Sequence, residues 1–274
     1  MKTKKSLGQH FLRSEKALSR IIDESDPAGD DLILEIGPGE GVLTDRLLKF
    51  AGKVITVEKD DELYEKLKNK YQKEIEGGRL DLIRGDILDF DPNLLKFYSE
   101  LNYKIVANIP YNITGAILKK FLSAEYQPER MVLLLQREVA KRIVASDSKE
   151  SILSISIKVY GKPRYVEMVK AGSFVPRPKV DSAIIAIEEI SKDFFEKMAQ
   201  NNNLEAELPS VEQSFFSMLR AGFSSKRKKL SSNLSALFKK EDISRVFGEL
   251  GLGENTRAEE VKIETWKKLA EYLI

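Results

Sequence analysis

The chain has 274 residues, 42% hydrophobic and 32% charged, which is enough for a full α/β core and a small second domain. With no cysteine and one histidine, disulfide frameworks and thiolate metal clusters are excluded and a catalytic zinc site is disfavoured, while a net charge of +2 does not announce a nucleic-acid partner. No apolar run is long enough to span a bilayer and none follows the basic start at residues 1–6, so a cytoplasmic, metal-free, membrane-free protein is expected.

Residues 15–23 carry an amphipathic helical pattern with Ser14 placed to cap it. Short apolar runs at 32–36, 54–57, 80–83, 104–107 and 131–135 then alternate with helical patterns at 42–50, 61–73, 113–122 and 138–145. Buried parallel strands read this way, and the repeated βα unit predicts a doubly wound, mostly parallel, Rossmann-like sheet. Beyond residue 148 the pattern changes. Residues 152–159 are apolar on one face, and strand-like runs at 165–169 and 180–187 have no crossover helix between them, so that pair is antiparallel and the last strand of the sheet with it. From residue 191 the sequence is helical and basic, with helices predicted at 193–200, 211–219, 228–237, 242–250 and 263–273. A boundary near Ile190 divides an α/β domain, 1–190, from a small all-helical domain, 191–274, and the Asn201-Asn202-Asn203 triplet reads as a loop.

Gly37, Gly39 and Gly41 follow directly on the 32–36 strand and lead into a helix, so the chain turns tightly and a ligand can approach the helix N-terminus without meeting a Cβ. The G-x-G-x-G spacing departs from the G-x-G-x-x-G of dinucleotide folds, and taken alone the motif is equally a plain tight turn. It is accompanied by Glu58 and Asp86 at the ends of the next two strands, the edge where open α/β sheets bind ligands. Glu58 can accept both hydroxyls of a ribose. Asp86 can accept from an adenine amine that Ile87 covers, and Glu35 can help position a cationic amino acid end. S-adenosylmethionine uses all of these without a pyrophosphate site, although each acid alone reads as a solvated loop residue.

Asn108-Ile109-Pro110-Tyr111 follows the 104–107 strand at the same edge. An adenine N6 amine is a poor nucleophile, because its lone pair is delocalised into the ring. The Asn108 side-chain oxygen and the Ile109 carbonyl can accept its two hydrogens and so direct the lone pair outward, Pro110 restricts the residue before it, and Tyr111 can stack on the base. Alignment and a sulfonium leaving group then carry the step without a strong general base. The competing reading is an ordinary Asn-containing turn beside a buried Tyr111.

Residues 7–12 (L-G-Q-H-F-L), 34–44, 108–115, 134–143 and 174–182 (F-V-P-R-P-K-V-D-S), with the basic helical C-terminal region, give a near full-length resemblance to the ribosomal RNA adenine N6-dimethyltransferases of the bacterial small-subunit type. The resemblance implies a methyltransferase-type domain followed by a helical domain that recognises the ribosomal particle. It implies a monomer that moves two methyl groups from S-adenosylmethionine, leaving S-adenosylhomocysteine, to N6 of each of two adjacent adenosines near the 3′ end of small-subunit (16S) rRNA in the assembling 30S subunit. By the same resemblance the cofactor contacts are His10, Leu12, Gly37, Glu58, Asp86 and Asn108. Where this chain has His10 the family often has Asn, which favours a backbone contact there and a side chain packed near the cofactor over acid–base chemistry. Phe174 would face Tyr111 across a flipped base, the alternative being a core phenylalanine.

Arg137, Lys141 and Arg142 on one predicted helix either line the RNA path or form a solvated face. Arg220 and the run Lys226-Arg227-Lys228-Lys229 favour phosphate contact. Three rivals remain at this level: a large-subunit adenine methyltransferase of the macrolide-resistance type, a non-catalytic ribosome-assembly RNA-binding factor, and a nucleotide-dependent oxidoreductase.

Overall fold

The apolar alternation becomes a sheet in the computed structural model, which describes residues 9–98, 103–201 and 208–274. The chain begins with β1 (Phe11–Leu12) and α1 (Glu15–Ser25), the latter capped by Ser14, whose side chain accepts from the Ala17 amide. There follow β2 (Leu32–Ile36), α2 (Thr44–Phe50), β3 (Lys53–Glu58), α3 (Asp61–Lys70), α4 (Gln72–Glu76), β4 (Leu80–Arg84), β5 (Tyr103–Asn108), α5 (Thr114–Leu122), β6 (Arg130–Gln136) and α6 (Arg137–Val144). Next come α7 (Ile152–Lys158), β7 (Lys162–Val169), β8 (Phe174–Val175) and β9 (Ser182–Glu188).

Among the described residues the main sheet has the order β4-β3-β2-β5-β6-β9-β7. The pairings from β4 through to β6 are parallel, and β9 runs antiparallel between β6 and β7. The strand order reverses between β2 and β5, and in open sheets the crevice at such a switch point is where ligands bind. Every residue of β2 is buried, as are Ile105, Val106, Leu133 and Leu134 on the neighbouring strands. Each of the apolar side chains among them contributes about 1.5–3 kcal/mol of burial, which fixes the strand ends that carry the site.

The structure alters the sequence reading locally. The helix expected over 61–73 breaks at Tyr71, because that ring turns inward and its hydroxyl reaches the Gly41 carbonyl and Asp45, each at 2.7 Å. The one-faced segment at 152–159 is α7, started by a Ser151 capping box. The strand expected at 165–169 begins at Lys162 and carries an irregularity between Tyr165 and Glu167. Unforeseen altogether is the pairing of β1 with β8, which sets Phe11 against Val175 and Leu12 against Phe174.

Two compact units result, one of residues up to Ala140 with Lys162–Ile190, the other of Lys141–Gly161 with Ser191–Ile274. The expected boundary at Ile190 therefore marks one division. A second falls inside α6, and residues 141–161, read from the sequence as part of the first domain, group with the C-terminal helices. The cause is physical: the Glu150 amide donates to the Glu259 carbonyl at 2.8 Å, Lys262 Nζ to the Ser148 carbonyl at 2.8 Å, and the Tyr160 ring stacks on Phe216 and packs tilted against Phe195. This second unit continues with α8 (Asp193–Asn201), α9 (Leu208–Gly222), α10 (Leu230–Leu234), α11 (Lys240–Glu249) and α12 (Ile263–Leu273) around fully buried Trp266 and Phe215. No helix among the described residues is long and apolar enough to cross a membrane.

Candidate active site

The glycine turn after β2 is built for close approach. Gly37, Gly39 and Gly41 have φ of +65°, +63° and +79°, the left-handed region that disfavours any side chain. At Gly41 there is also no room, since a Cβ would lie 2.3 Å from the Tyr71 hydroxyl oxygen. Glu58, at the end of β3, accepts from the Gly39 amide (3.2 Å) through one oxygen and the Asp60 amide (2.8 Å) through the other, so it shapes the turn whose ligand it was expected to meet. Burial pushes its carboxyl above the usual range. Glu35, on β2 and 1% exposed, accepts from Thr44 Oγ1 at 2.6 Å. Burial pushes its pKa up to about 8, aided by the charges of Glu58 and Asp45 and opposed by the Thr44 hydrogen bond. Asp86 accepts from Lys59 Nζ at 2.5 Å and from the Leu88 amide at 3.0 Å, and Lys59 holds its carboxyl below the ordinary range.

At the far end of β5, Asn108 donates through Nδ2 to the His10 carbonyl at 3.0 Å, which leaves Oδ1 as the end of the amide directed elsewhere. The Ile109 amide donates to the Leu134 carbonyl at 3.1 Å, anchoring the segment to β6. Tyr111 is half-buried in a single helical turn, its hydroxyl 2.7 Å from Ser182 Oγ, and burial raises its phenol pKa. The His10 ring lies 5.9 Å from the Tyr111 ring at 25°, and its Nδ1 donates to the Pro176 carbonyl at 2.7 Å.

These groups share one cleft. His10, Leu12, Glu35, Gly37, Gly39, Glu58, Asp86, Ile87, Asn108, Ile109 and Tyr111 all line it, whereas Gly41 lies behind the turn. Phe174 is a correction: it is 3% exposed, belongs to the core cluster with Leu12 and Val169, and does not line the cleft, so its ring is not offered to a base here. Pairing in β8 turns Phe174 inward and leaves Val175 exposed. Sequence reasoning did not name Thr44, Lys59, Tyr71 or Ser182. Ser182 sits within the F-V-P-R-P-K-V-D-S segment, but nothing in that segment signals a contact with Tyr111.

The basic residues are distributed as follows. Arg137 is half-exposed and 4.0 Å from Asp181; Lys141 is partly exposed and Arg142 exposed on the same helix. In the second unit Arg220 is exposed and donates to Ser217 Oγ at 3.0 Å. Lys226, Arg227, Lys228 and Lys229 are all exposed in the turn between α9 and α10, and none forms an ion pair with a carboxylate among the described residues. Buried Asn233 holds that turn by donating to the carbonyls of Gly222 (2.7 Å) and Ser225 (3.0 Å).

A doubly wound sheet with a left-handed glycine turn, acids at successive strand ends and an asparagine amide aimed into the same crevice defines a Rossmann-like methyltransferase. The family model for ribosomal RNA adenine dimethylase matches residues 1–274. The ribosomal RNA small subunit methyltransferase A of Dehalococcoides mccartyi is 40% identical, covering 98% of this chain and 88% of its own length. That of Rippkaea orientalis is 36% identical, covering 96% and 94%. Among solved structures, a dimethyladenosine transferase from Plasmodium falciparum superposes with a TM-score of 0.75 at 26% identity, over 95% of this chain and 96% of that one. The 23S rRNA methyltransferase ErmE gives 0.74 at 26% identity, over 96% and 99%. The chain belongs to the ribosomal RNA adenine dimethylase family and is an rRNA adenine dimethyltransferase, which sets aside the oxidoreductase and non-catalytic readings.

Proposed function

We propose that the protein methylates N6 of two adjacent adenosines near the 3′ end of small-subunit rRNA, using S-adenosylmethionine, as a monomer acting on the assembling 30S subunit in the cytoplasm. The observation that carries the chemistry is the Asn108 amide: with Nδ2 committed to the His10 carbonyl, Oδ1 is left to accept an N6 hydrogen. Support for the small-subunit target comes from relatives of that name at 36–40% identity, against 26% for the large-subunit enzyme ErmE.

The cleft fits the cofactor, since a Cβ at Gly39 would crowd the Phe11 ring at 3.0 Å and four acids, Glu35, Glu40, Glu58 and Asp86, line the wall. When bound, S-adenosylmethionine supplies an electrophilic methyl on a sulfonium. On this reading Glu58 accepts from the ribose while keeping its grip on the turn, and Asp86 with Ile87 receives the cofactor's adenine beside Lys59. Leu12 and the His10 backbone border it, and Glu35 faces the amino acid end. Asn108 Oδ1 and the Ile109 carbonyl accept the two N6 hydrogens and aim the lone pair, while Tyr111 offers its face to the base. Arg137, Lys141 and Arg142, with Arg220 and the run 226–229, contact phosphates.

Mass mapping of rRNA after incubation with immature subunits tests the whole reading. Two neighbouring dimethyladenosines near the small-subunit 3′ end are expected, and modification of large-subunit rRNA instead would overturn it. Asn108→Ala should lower turnover on the order of a hundredfold through lost alignment.

A further inference from the structure

One residue touches each of the separate motifs at the amine end of the cleft. The His10 carbonyl takes the Asn108 Nδ2 hydrogen, its Nδ1 is 2.7 Å from the Pro176 carbonyl, and its ring lies flat beside Tyr111. A carbonyl only accepts, so Nδ1 carries the hydrogen. The strap bearing His10 is fixed on the other side by the Phe11–Val175 pairing and by the Arg13 amide, which donates to the Ser173 carbonyl at 2.7 Å. Tyr111 is held at its tip by Ser182 Oγ, and the imidazole stacks along its face.

We propose that the His10 side chain is a positioning residue for the amine end of the reaction, holding the Tyr111 ring and the Pro176 turn in register with Asn108 and mattering most in the second methyl transfer. The inference rests on the N6-methylation reading above. In the first transfer the amine presents two hydrogens, and the two acceptors orient it redundantly. In the second only one hydrogen remains, so the orientation of the base depends more heavily on the ring it lies against. A Tyr111 ring free to tilt therefore penalises the second transfer selectively. The two contacts of the imidazole are separable. Asparagine carries its amide nitrogen on Cγ just as histidine carries Nδ1, so it can reproduce the donation to Pro176 but not the ring contact.

The test measures mono- and dimethyladenosine by mass spectrometry in single-turnover and extended reactions of wild type, His10→Ala and His10→Asn, with S-adenosylmethionine affinity from calorimetry and thermal unfolding in parallel. Wild-type formation of dimethyladenosine establishes the underlying reading, and its absence would defeat that reading rather than this one. For His10→Ala the second transfer should slow about tenfold relative to the first, so monomethyladenosine accumulates, with cofactor affinity within about threefold of wild type. His10→Asn should recover the Pro176 anchor and give an intermediate ratio. An unchanged mono-to-dimethyl ratio in both variants overturns the proposal. So does a large loss of cofactor affinity that accounts for the whole defect, which would make His10 a cofactor contact only.

Discussion

Replacing Glu35 by Gln should stabilise the ligand-free protein, and by an amount that grows with pH. The Glu35 carboxyl is 1% exposed, its folded pKa is pushed from the ordinary 4.5 up to about 8 chiefly by burial, and its nearest charges, Glu58 and Asp45, are also negative. A carboxyl whose folded pKa exceeds its unfolded value holds its proton in the folded state. Its stabilising contribution is complete below about pH 4.5, erodes as pH rises through the window to about 8, and is lost above it. At 1.36 kcal/mol per unit, the ceiling on that loss is roughly 5 kcal/mol, with about 3 kcal/mol already gone at pH 7. Gln has nearly the same shape, can still accept from Thr44 Oγ1, and does not titrate. Urea unfolding of wild type and Glu35→Gln should therefore nearly coincide at pH 4.5 to 5, with the variant several kcal/mol more stable at pH 9. If Glu35 faces the ammonium of the bound methyl donor, that cation draws the carboxyl toward ionisation and binding near pH 7 releases a proton. Calorimetry in buffers of different ionisation enthalpy reads this directly. An equal stability difference at pH 5 and pH 9 would refute the reasoning.

Gly41→Ala combines left-handed backbone strain with a clash at the Tyr71 hydroxyl, so it should cost roughly 2–4 kcal/mol, seen as a fall of about 5–15 °C in Tm. Adding Tyr71→Phe should relieve part of this, and a single variant within about 0.5 kcal/mol of wild type would contradict the packing argument. Lys158→Ala leaves buried Glu150 without its 2.8 Å partner and should cost about 3–5 kcal/mol, whereas a neutral result would mean the carboxylate is readily hydrated. Changing Lys226, Arg227, Lys228 and Lys229 to Gln should weaken subunit binding and reduce the log–log salt slope by about 0.7–0.9 for each phosphate contact removed; an unaltered slope would exclude phosphate contact by this turn.

The strands of the sheet were legible because a strand buried on both faces reads as a near-continuous apolar run, as β2 does at four of its five residues, all of them buried, with Glu35 as the exception. The glycine turn was legible because three left-handed positions in five residues leave little alternative to glycine. Other features carry no local signature. Strands of two residues, such as β1 and β8, have no periodicity to read, yet they bring His10 against Tyr111. Tyr71 looks like any aromatic on a helix until its hydroxyl is found under Gly41. The direction of the Phe174 ring depends on its pairing with Leu12, a residue far away in sequence, so its position in a motif could not distinguish cleft from core. Lys59 and Asp86 lie on successive strand ends of a parallel sheet, and only the register of β3 with β4 makes them partners. The grouping of residues 141–161 with the C-terminal helices likewise rests on contacts with residues such as Glu259 and Lys262, more than a hundred positions downstream.

The arrangement at Asn108 also bears on why such an enzyme would add two methyl groups and then stop. An amide can present either end to a ligand, but here Nδ2 is tied to the His10 carbonyl, and reversing the amide would set an oxygen against that carbonyl. Asn108 is thus restricted to accepting. On the proposed reading, adenine satisfies both acceptors and monomethyladenine satisfies one, so the amine stays oriented with its lone pair outward through two transfers. Dimethyladenine has no N6 hydrogen left. Its methyl groups would then face Asn108 Oδ1 and the Ile109 carbonyl, so the two acceptors lose their partners and the product is held less well than the substrate. On that reading acceptor geometry both directs the chemistry and ends it, and product release is favoured by the same unsatisfied oxygens that aligned the starting amine.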